Sequence, residues 1–260
     1  MTRIRMLRLA GTVIIIVVLS AILTGCFFAK NDPTIDRFGN PFEANKNVVL
    51  TPEEIYQKAH DATMTVQITE GSTVRQGTGF FIAADGTFIT NYHVAESYIK
   101  YMEGHELDAT PVQLKAKAYS GEVYTEFNIL SYSKEKDLAV LQTVGMQDVK
   151  YLKLKRNGYL KGDNVYVLGA PGGREKTFLS GKIVNNEQKL QDIYCIQISA
   201  VLEHGISGSP VMSESGAVIG IATFALETKY NESFYAVHVT ELEGLVRVPL
   251  YYNGDPALDS

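Results

Sequence analysis

Cysteine is nearly missing from this chain. Its 260 residues hold two, Cys26 and Cys195, too few for a disulfide framework. An excess of positive charge is missing too: the formal net charge is −5, and a nucleic-acid partner, whose phosphates demand a basic face, is not expected. No internal repeat occurs, and no helix-strand alternation announces a parallel sheet or a solute-binding protein built on one. The glycine-rich stretch from Gly162 to Gly173 lacks the Gly-Lys-Ser/Thr ending and the following helix of a phosphate-cradling loop, so it reads as a strand and a turn. No cofactor and no metal site is expected.

What is present is an ordinary globular composition, 45% hydrophobic and 20% charged. Fifteen Tyr, eleven Phe and twenty-two Gly, with frequent Val and Ile, favour strands, because β-branched and aromatic side chains suit a pleated, half-buried surface.

The first 25 residues are a different material. Arg3, Arg5 and Arg8 precede an apolar run from Leu9 to Leu23 that ends in Thr24-Gly25-Cys26, the layout of a secretory signal. Leu23-Thr24-Gly25-Cys26 resembles a bacterial lipobox, which would make Cys26 the acylated N-terminus and place the remainder on the extracytoplasmic face of a cell-envelope membrane. The alternative, an uncleaved spanning helix, is somewhat short for a bilayer. Loss of the leader removes three arginines and takes the charge from −5 to −8. Cys195, within the apolar Ile193-Tyr194-Cys195-Ile196, then reads as a buried thiol; a bridge to Cys26 is the other possibility.

Residues 26–49 read as an extended tether. Thr51-Pro52-Glu53-Glu54 sets Thr at an N-cap, Pro at the first helical position and Glu three residues after the cap, which predicts a helix over 52–60 with His60 facing solvent. Gly77 to Thr90 reads as two apolar strands joined at Asp85-Gly86. The second runs into Thr90-Asn91-Tyr92-His93, ahead of a short helical turn at 94–97. Alternation over 98–136 around Ser120-Gly121 predicts another hairpin, and Asp137 opens the apolar strand Leu138-Ala139-Val140-Leu141. After a connector at about 143–160, strands resume at 177–185, 193–202, 219–224 and 233–239, with a turn at Ser215-Gly216. Thr240-Glu241-Leu242-Glu243 is a second capping box and predicts a final helix to about Arg247; 248–260 is a tail.

The stretch that organises the rest is Gly205-Ile206-Ser207-Gly208-Ser209-Pro210, a serine in a glycine-flanked turn between apolar strands. Ser207 reads as a nucleophile, which needs a base for its proton and donors for the oxyanion. By themselves Ser207 could belong to a plain turn, His93 could be structural and Asp137 could be a strand-edge residue. Chain order discriminates: His93, Asp137, Ser207 is the chymotrypsin-like order, whereas an α/β-hydrolase runs Ser, acid, His. His238, the only His after Ser207, sits in strand-like sequence.

These residues resemble an HtrA/Deg-like serine protease of the trypsin-like superfamily. The matching segments are Gly77-Thr78-Gly79-Phe80, Thr90-Asn91-Tyr92-His93-Val94, Asp137-Leu138-Ala139-Val140-Leu141, Gly162-Asp163 with Gly169-Ala170-Pro171, Ile196-Gln197 and the Ser207 turn, across about 50–247. The resemblance implies an all-β, chymotrypsin-like fold of two antiparallel six-stranded β-barrels, at about 50–145 and 160–240, with short terminal helices. It implies His93, Asp137 and Ser207 as the catalytic triad, Gly205 and Ser207 N–H groups as the oxyanion hole, and Thr223 supporting Asp137 from behind. Phe224 and Ala225 would begin the segment along which an extended or unfolded protein substrate pairs. Val201 would floor the primary pocket; having no carboxylate, it disfavours Arg and Lys. Glutamyl endopeptidases set a His where this chain has Ala222, so a small or medium apolar residue is expected before the cut bond. Ile206 replaces a common Asn or Asp and raises the prospect of an oxyanion hole collapsed until substrate arrives. No PDZ module follows, which leaves the oligomeric state open. The competing expectation is a catalytically silent protease-fold lipoprotein that binds peptides or partners.

Overall fold

A computed structural model describes residues 48–104, 110–170, 176–203, 205–227 and 232–246. The expected leader, Cys26, most of the tether, the tail and His204 lie outside the described residues.

Helix α1 (Pro52–Ala62) starts as its sequence requires: the Thr51 hydroxyl accepts the Glu54 N–H while the Glu54 carboxylate takes the Thr51 N–H at 2.8 Å. Ile55, Ala59 and Ala62 point inward from it. His60 is not a free solvent residue, because its Nε2 lies 3.0 Å from Lys176 Nζ and its ring meets those of Tyr56 and Tyr119.

The N-terminal half is a seven-stranded antiparallel sheet. Its strands are β1 (Thr63–Glu70), β2 (Thr73–Phe81), β3 (Thr87–Thr90), β4 (Val112–Ala118), β5 (Val123–Tyr124), β6 (Phe127–Ser133) and β7 (Leu138–Thr143), in the order β5-β4-β1-β2-β3-β7-β6. Among the described residues this sheet forms a half-barrel with two ends, β5 and β6. In β4, Val112, Leu114, Ala116 and Ala118 are buried and the intervening residues exposed, the period-2 pattern of a half-covered strand. The Asp85-Gly86 turn joins β2 to β3, with Gly86 at φ +84° and Asp85 Oδ1 accepting the Thr87 N–H at 2.9 Å.

Helix α2 (Tyr92–Met102) corrects the short turn expected at 94–97. Tyr92, Ala95 and Ile99, with Val94 and Tyr98, occupy one buried face, and packing of that face onto Met64, Phe127 and Leu141 carries the helix three turns.

The second half is a closed six-stranded barrel. It comprises β8 (Asn164–Gly169), β9 (Thr177–Leu190), β10 (Ile193–Ile198), β11 (Pro210–Met212), β12 (Val218–Glu227) and β13 (Glu232–His238), in the order β10-β13-β12-β11-β8-β9. It is filled by Val165, Val167, Ile196, Ile198, Val211, Ile219 and Ala236. One apolar cluster joins the halves: Phe80, Ile82, Ile89 and Leu138 from the first sheet meet Leu168, Met212, Ile221 and Val237 from the barrel. The fold is therefore mostly β and chymotrypsin-like.

The final helix is reduced to a 3-10 turn over Val239–Leu242. The expected Thr240 box does not form; the His238 ring accepts the Thr240 N–H, Glu241 turns inward to Lys136, and Gly244 at φ +81° ends the segment. No helix among the described residues is long and apolar enough to cross a membrane.

Candidate active site

The Ser207 turn is held on three sides. Gly205 and Gly208 adopt φ +97° and +86°, conformations open to glycine at little cost. Thr78 of β2 donates its N–H to the Ser207 carbonyl at 2.8 Å and its hydroxyl to the Gly205 carbonyl at 3.0 Å. Gly208 N–H donates to the Ala222 carbonyl at 2.8 Å, and Ala222 N–H to the Ser209 carbonyl at 2.9 Å. The turn thus belongs to the barrel but is bolted to the first sheet. Ile206, the unusual β-branched residue here, is 1% exposed and packs into the barrel interior. Gly169 makes the room, since a Cβ there would stand 3.3 Å from Ile206 Cγ1 and 2.5 Å from Ser209 Oγ. The Gly205 and Ser207 backbone N–H groups donate to no acceptor among the described residues.

His93 and Asp137 meet across 44 positions of sequence. Nδ1 of His93 lies 2.7 Å from Asp137 Oδ2, and the other carboxylate oxygen accepts the His93 backbone N–H at 2.9 Å. Asp137 therefore both orients the imidazole and caps helix α2, whose N-terminal end favours negative charge. It does so from a left-handed backbone, φ +52°. Gly77 brings this pair toward the Ser207 turn: a Cβ on it would lie 2.6 Å from a Val94 methyl and 3.2 Å from the Ser207 carbonyl. The His93 ring and the Ser207 hydroxyl form no hydrogen bond to each other among the described residues.

Thr223 does not touch Asp137 directly. Its hydroxyl donates to the Ile221 carbonyl at 2.9 Å and accepts from Asn91 Nδ2 at 3.0 Å, and that amide also donates to the Asp137 carbonyl at 2.9 Å. Asn91 is the site residue that motif reading passed over; its position as the residue opening α2 was the available signal. Thr223, Phe224 and Ala225 lie on β12 at a register shift, and β11 pairs with β12 only as far as Ile221. Among the described residues the backbone from Thr223 to Glu227 has no strand on the side away from β13. Val201 is 56% exposed, suited to the mouth of a groove and not to a closed pocket floor.

Cys195 is buried and its thiol is pushed up to about 11 by desolvation, so it is inert as a nucleophile. No cluster of three metal-ligating side chains occurs among the described residues. A separate cavity of about 450 Å³, lined by Lys58, Asp61, Asp148, Lys150 and Lys153 among others, contains none of the residues above.

Residues 77–221 match the trypsin-like peptidase domain family. Among curated proteins, the chain is 32% identical over 155 residues to anti-sigma-I factor RsgI9 of Acetivibrio thermocellus, covering 59% of this chain and 20% of that protein. It is 28% identical over 195 residues to serine protease HTR4 of Rattus norvegicus, covering 68% and 37%. It is 30% identical over 157 residues to a probable periplasmic serine endoprotease DegP-like of Chlamydia pneumoniae, covering 57% and 28%. The chain spans well under half the length of these relatives. Among solved structures, the HtrA-type protease AlgW with tripeptide superposes with a TM-score of 0.61 at 22% identity, covering 75% of this chain and 62% of that one. A serine endoprotease from Yersinia pestis gives 0.62 at 20%, covering 80% and 69%.

Proposed function

Because the chain belongs to the trypsin-like peptidase family, we propose that it is a serine endopeptidase, held to the extracytoplasmic face of a bacterial membrane through lipidated Cys26. The observation that carries the reading is the two-point grip of Asp137 on His93 beside the pinned Ser207 turn. In the reaction the His93 Nε2 takes the Ser207 proton as the hydroxyl attacks a peptide carbonyl, then returns it to the leaving amine. Asp137 holds the Nδ1–H tautomer and stabilises the imidazolium. The unengaged N–H groups of Gly205 and Ser207 would receive the oxyanion, where one such donor contributes about 10²–10³ in turnover. The bare edge of β12 from Thr223 supports substrate binding as an added strand through Phe224 and Ala225. With Val201 at the mouth of the groove and no carboxylate there to draw Arg or Lys, cleavage after a small or medium apolar residue is proposed.

Casein and peptide-library digestion tests this, beside Ser207→Ala. Expected are cleavage by the wild type, none by the variant, and fluorophosphonate labelling confined to Ser207. Fastest cleavage after Arg would overturn the specificity. A second reading, a silent protease fold that binds peptides or partners, is favoured by the lack of a Ser207–His93 hydrogen bond and by the relative named an anti-sigma factor. Failure of Ser207 to label under any condition would decide for it.

A further inference from the structure

Asn91 opens helix α2, and asparagine there normally turns its side-chain oxygen back to cap the first backbone N–H groups. Here it makes no such bond. The cap is supplied by Asp137, whose Oδ1 takes the His93 N–H, and the Asn91 amide reaches in the opposite direction. It is fully buried, and Oδ1 has no partner among the described residues. A helix cap given up and a carbonyl oxygen left dry are both unfavourable for folding, and such exceptions concentrate where a side chain is held for another purpose.

The neighbours fix which end of the amide faces them. Asp137 presents a backbone carbonyl, which can only accept. Thr223 Oγ1 has given its proton to the Ile221 carbonyl, so toward Asn91 it can only accept as well. Two acceptors demand two protons on one atom, and the –NH₂ end of Asn supplies them. An isosteric Asp would set a carboxylate against both.

We propose that Asn91 is a positioning residue for the His93–Asp137 pair. Its amide and the Asp137 carboxylate form a reciprocal clasp: Asn91 holds the Asp137 carbonyl, and Asp137 holds the backbone N–H two residues beyond Asn91. Without the clasp, Asp137 keeps only the 3.2 Å bond from its N–H to the Lys134 carbonyl to hold it at φ +52°, a conformation that L residues leave when free to do so, and its carboxylate swings off the imidazole. The second proton extends the clasp to β12, so the orientation of the base depends on contact between the two halves of the fold.

The inference rests on the hydrolytic reading above, and its test separates the two. In the full chain, Asn91→Ala is expected to lower kcat by about 10- to 100-fold with KM within twofold, and to move the acid limb of kcat/KM downward because the imidazolium loses its carboxylate. Asn91→Asp is expected to lose at least as much kcat but to move that limb upward, since it adds negative charge. Thr223→Val removes one acceptor and should cost less; in an Asn91→Ala background it should cost nothing further. His93 titration by ring-proton NMR reports the same two opposite shifts without any substrate, so it stands if no substrate is cleaved at all. An Asn91→Ala protein that folds cooperatively with kcat within twofold and an unmoved His93 titration would overturn the proposal. If that variant does not fold, an unmoved His93 titration in Thr223→Val would do so.

Discussion

Lys136 and Glu241 join the loop that carries Asp137 to the 3-10 turn at Val239–Leu242: Nζ stands 2.9 Å from Oε2 and donates to the Glu241 carbonyl at 3.1 Å. The Glu241 side chain is 10% exposed against 34% for Lys136, and its other oxygen accepts the Tyr194 N–H at 3.0 Å. The two members of the pair are therefore not equivalent. Lys136→Met strands a nearly buried carboxylate, and a loss of about 2 kcal/mol is expected. Glu241→Gln leaves a lysine that can turn to water, and should cost under about 1 kcal/mol. Thermal unfolding at pH 7 should separate them by several degrees; equal losses would refute the asymmetry.

Asp137 has two separable duties. Asp137→Asn keeps an oxygen for the helix cap and tolerates a left-handed backbone, yet it ruins the imidazole tautomer. A fall in kcat of about 10⁴ is expected, with stability nearly unchanged. Asp137→Ala should lose as much activity and a further ~1–2 kcal/mol, since the cap and the tolerance both go. Parallel kinetics and urea unfolding give both numbers.

Glycines at positive φ differ in what surrounds them. At Gly208 a Cβ would lie 2.0 Å from the Thr78 carbonyl oxygen, whereas at Gly121, φ +122°, nothing stands within 4 Å. Gly121→Ala should cost about 1–2 kcal/mol of backbone strain alone. Gly208→Ala must also push the turn off β2, and failure to fold or a loss above about 3 kcal/mol is expected. Urea midpoints compare the two.

His238 makes stability depend on pH. Its Nδ1 accepts the Thr240 N–H at 3.1 Å, so the proton sits on Nε2, against the Tyr159 hydroxyl. Burial lowers its pKa from 6.5 to about 4. The unfolded chain therefore takes up a proton that the folded chain refuses between those values. This contribution is complete above pH 6.5 and is lost as pH falls toward 4. At about 1.4 kcal/mol per pH unit, roughly 2–3 kcal/mol should be gone by pH 4.5. In His238→Gln the difference between pH 7 and pH 4.5 should shrink by that amount; an unchanged difference would contradict the assignment.

Local chemistry was legible in the sequence. Thr51 and Glu54 cap α1, Asp85-Gly86 turns, and the glycines around Ser207 adopt the backbone that their spacing predicted. The pairing of His93 with Asp137 followed from order along the chain and from family resemblance. Contacts that depend on tertiary packing were not legible. Helix α2 extends to Met102 because its apolar face finds Phe127 and Met64, partners remote in sequence. Thr223 reaches Asp137 only through an amide 132 residues away, for which no local pattern exists. The final helix stops at a 3-10 turn: the His238 ring takes the Thr240 N–H, and Gly244 at φ +81° ends the segment.

On the proposed hydrolytic reading, the margin of β12 that has no neighbour strand among the described residues would engage the substrate through main chain. A polypeptide whose amides are already committed to its own helices and sheets offers that margin nothing, while a slack or misfolded stretch offers a full ladder of donors and acceptors. On that reading, conformational state, ahead of composition, would be the first criterion by which a visitor is admitted.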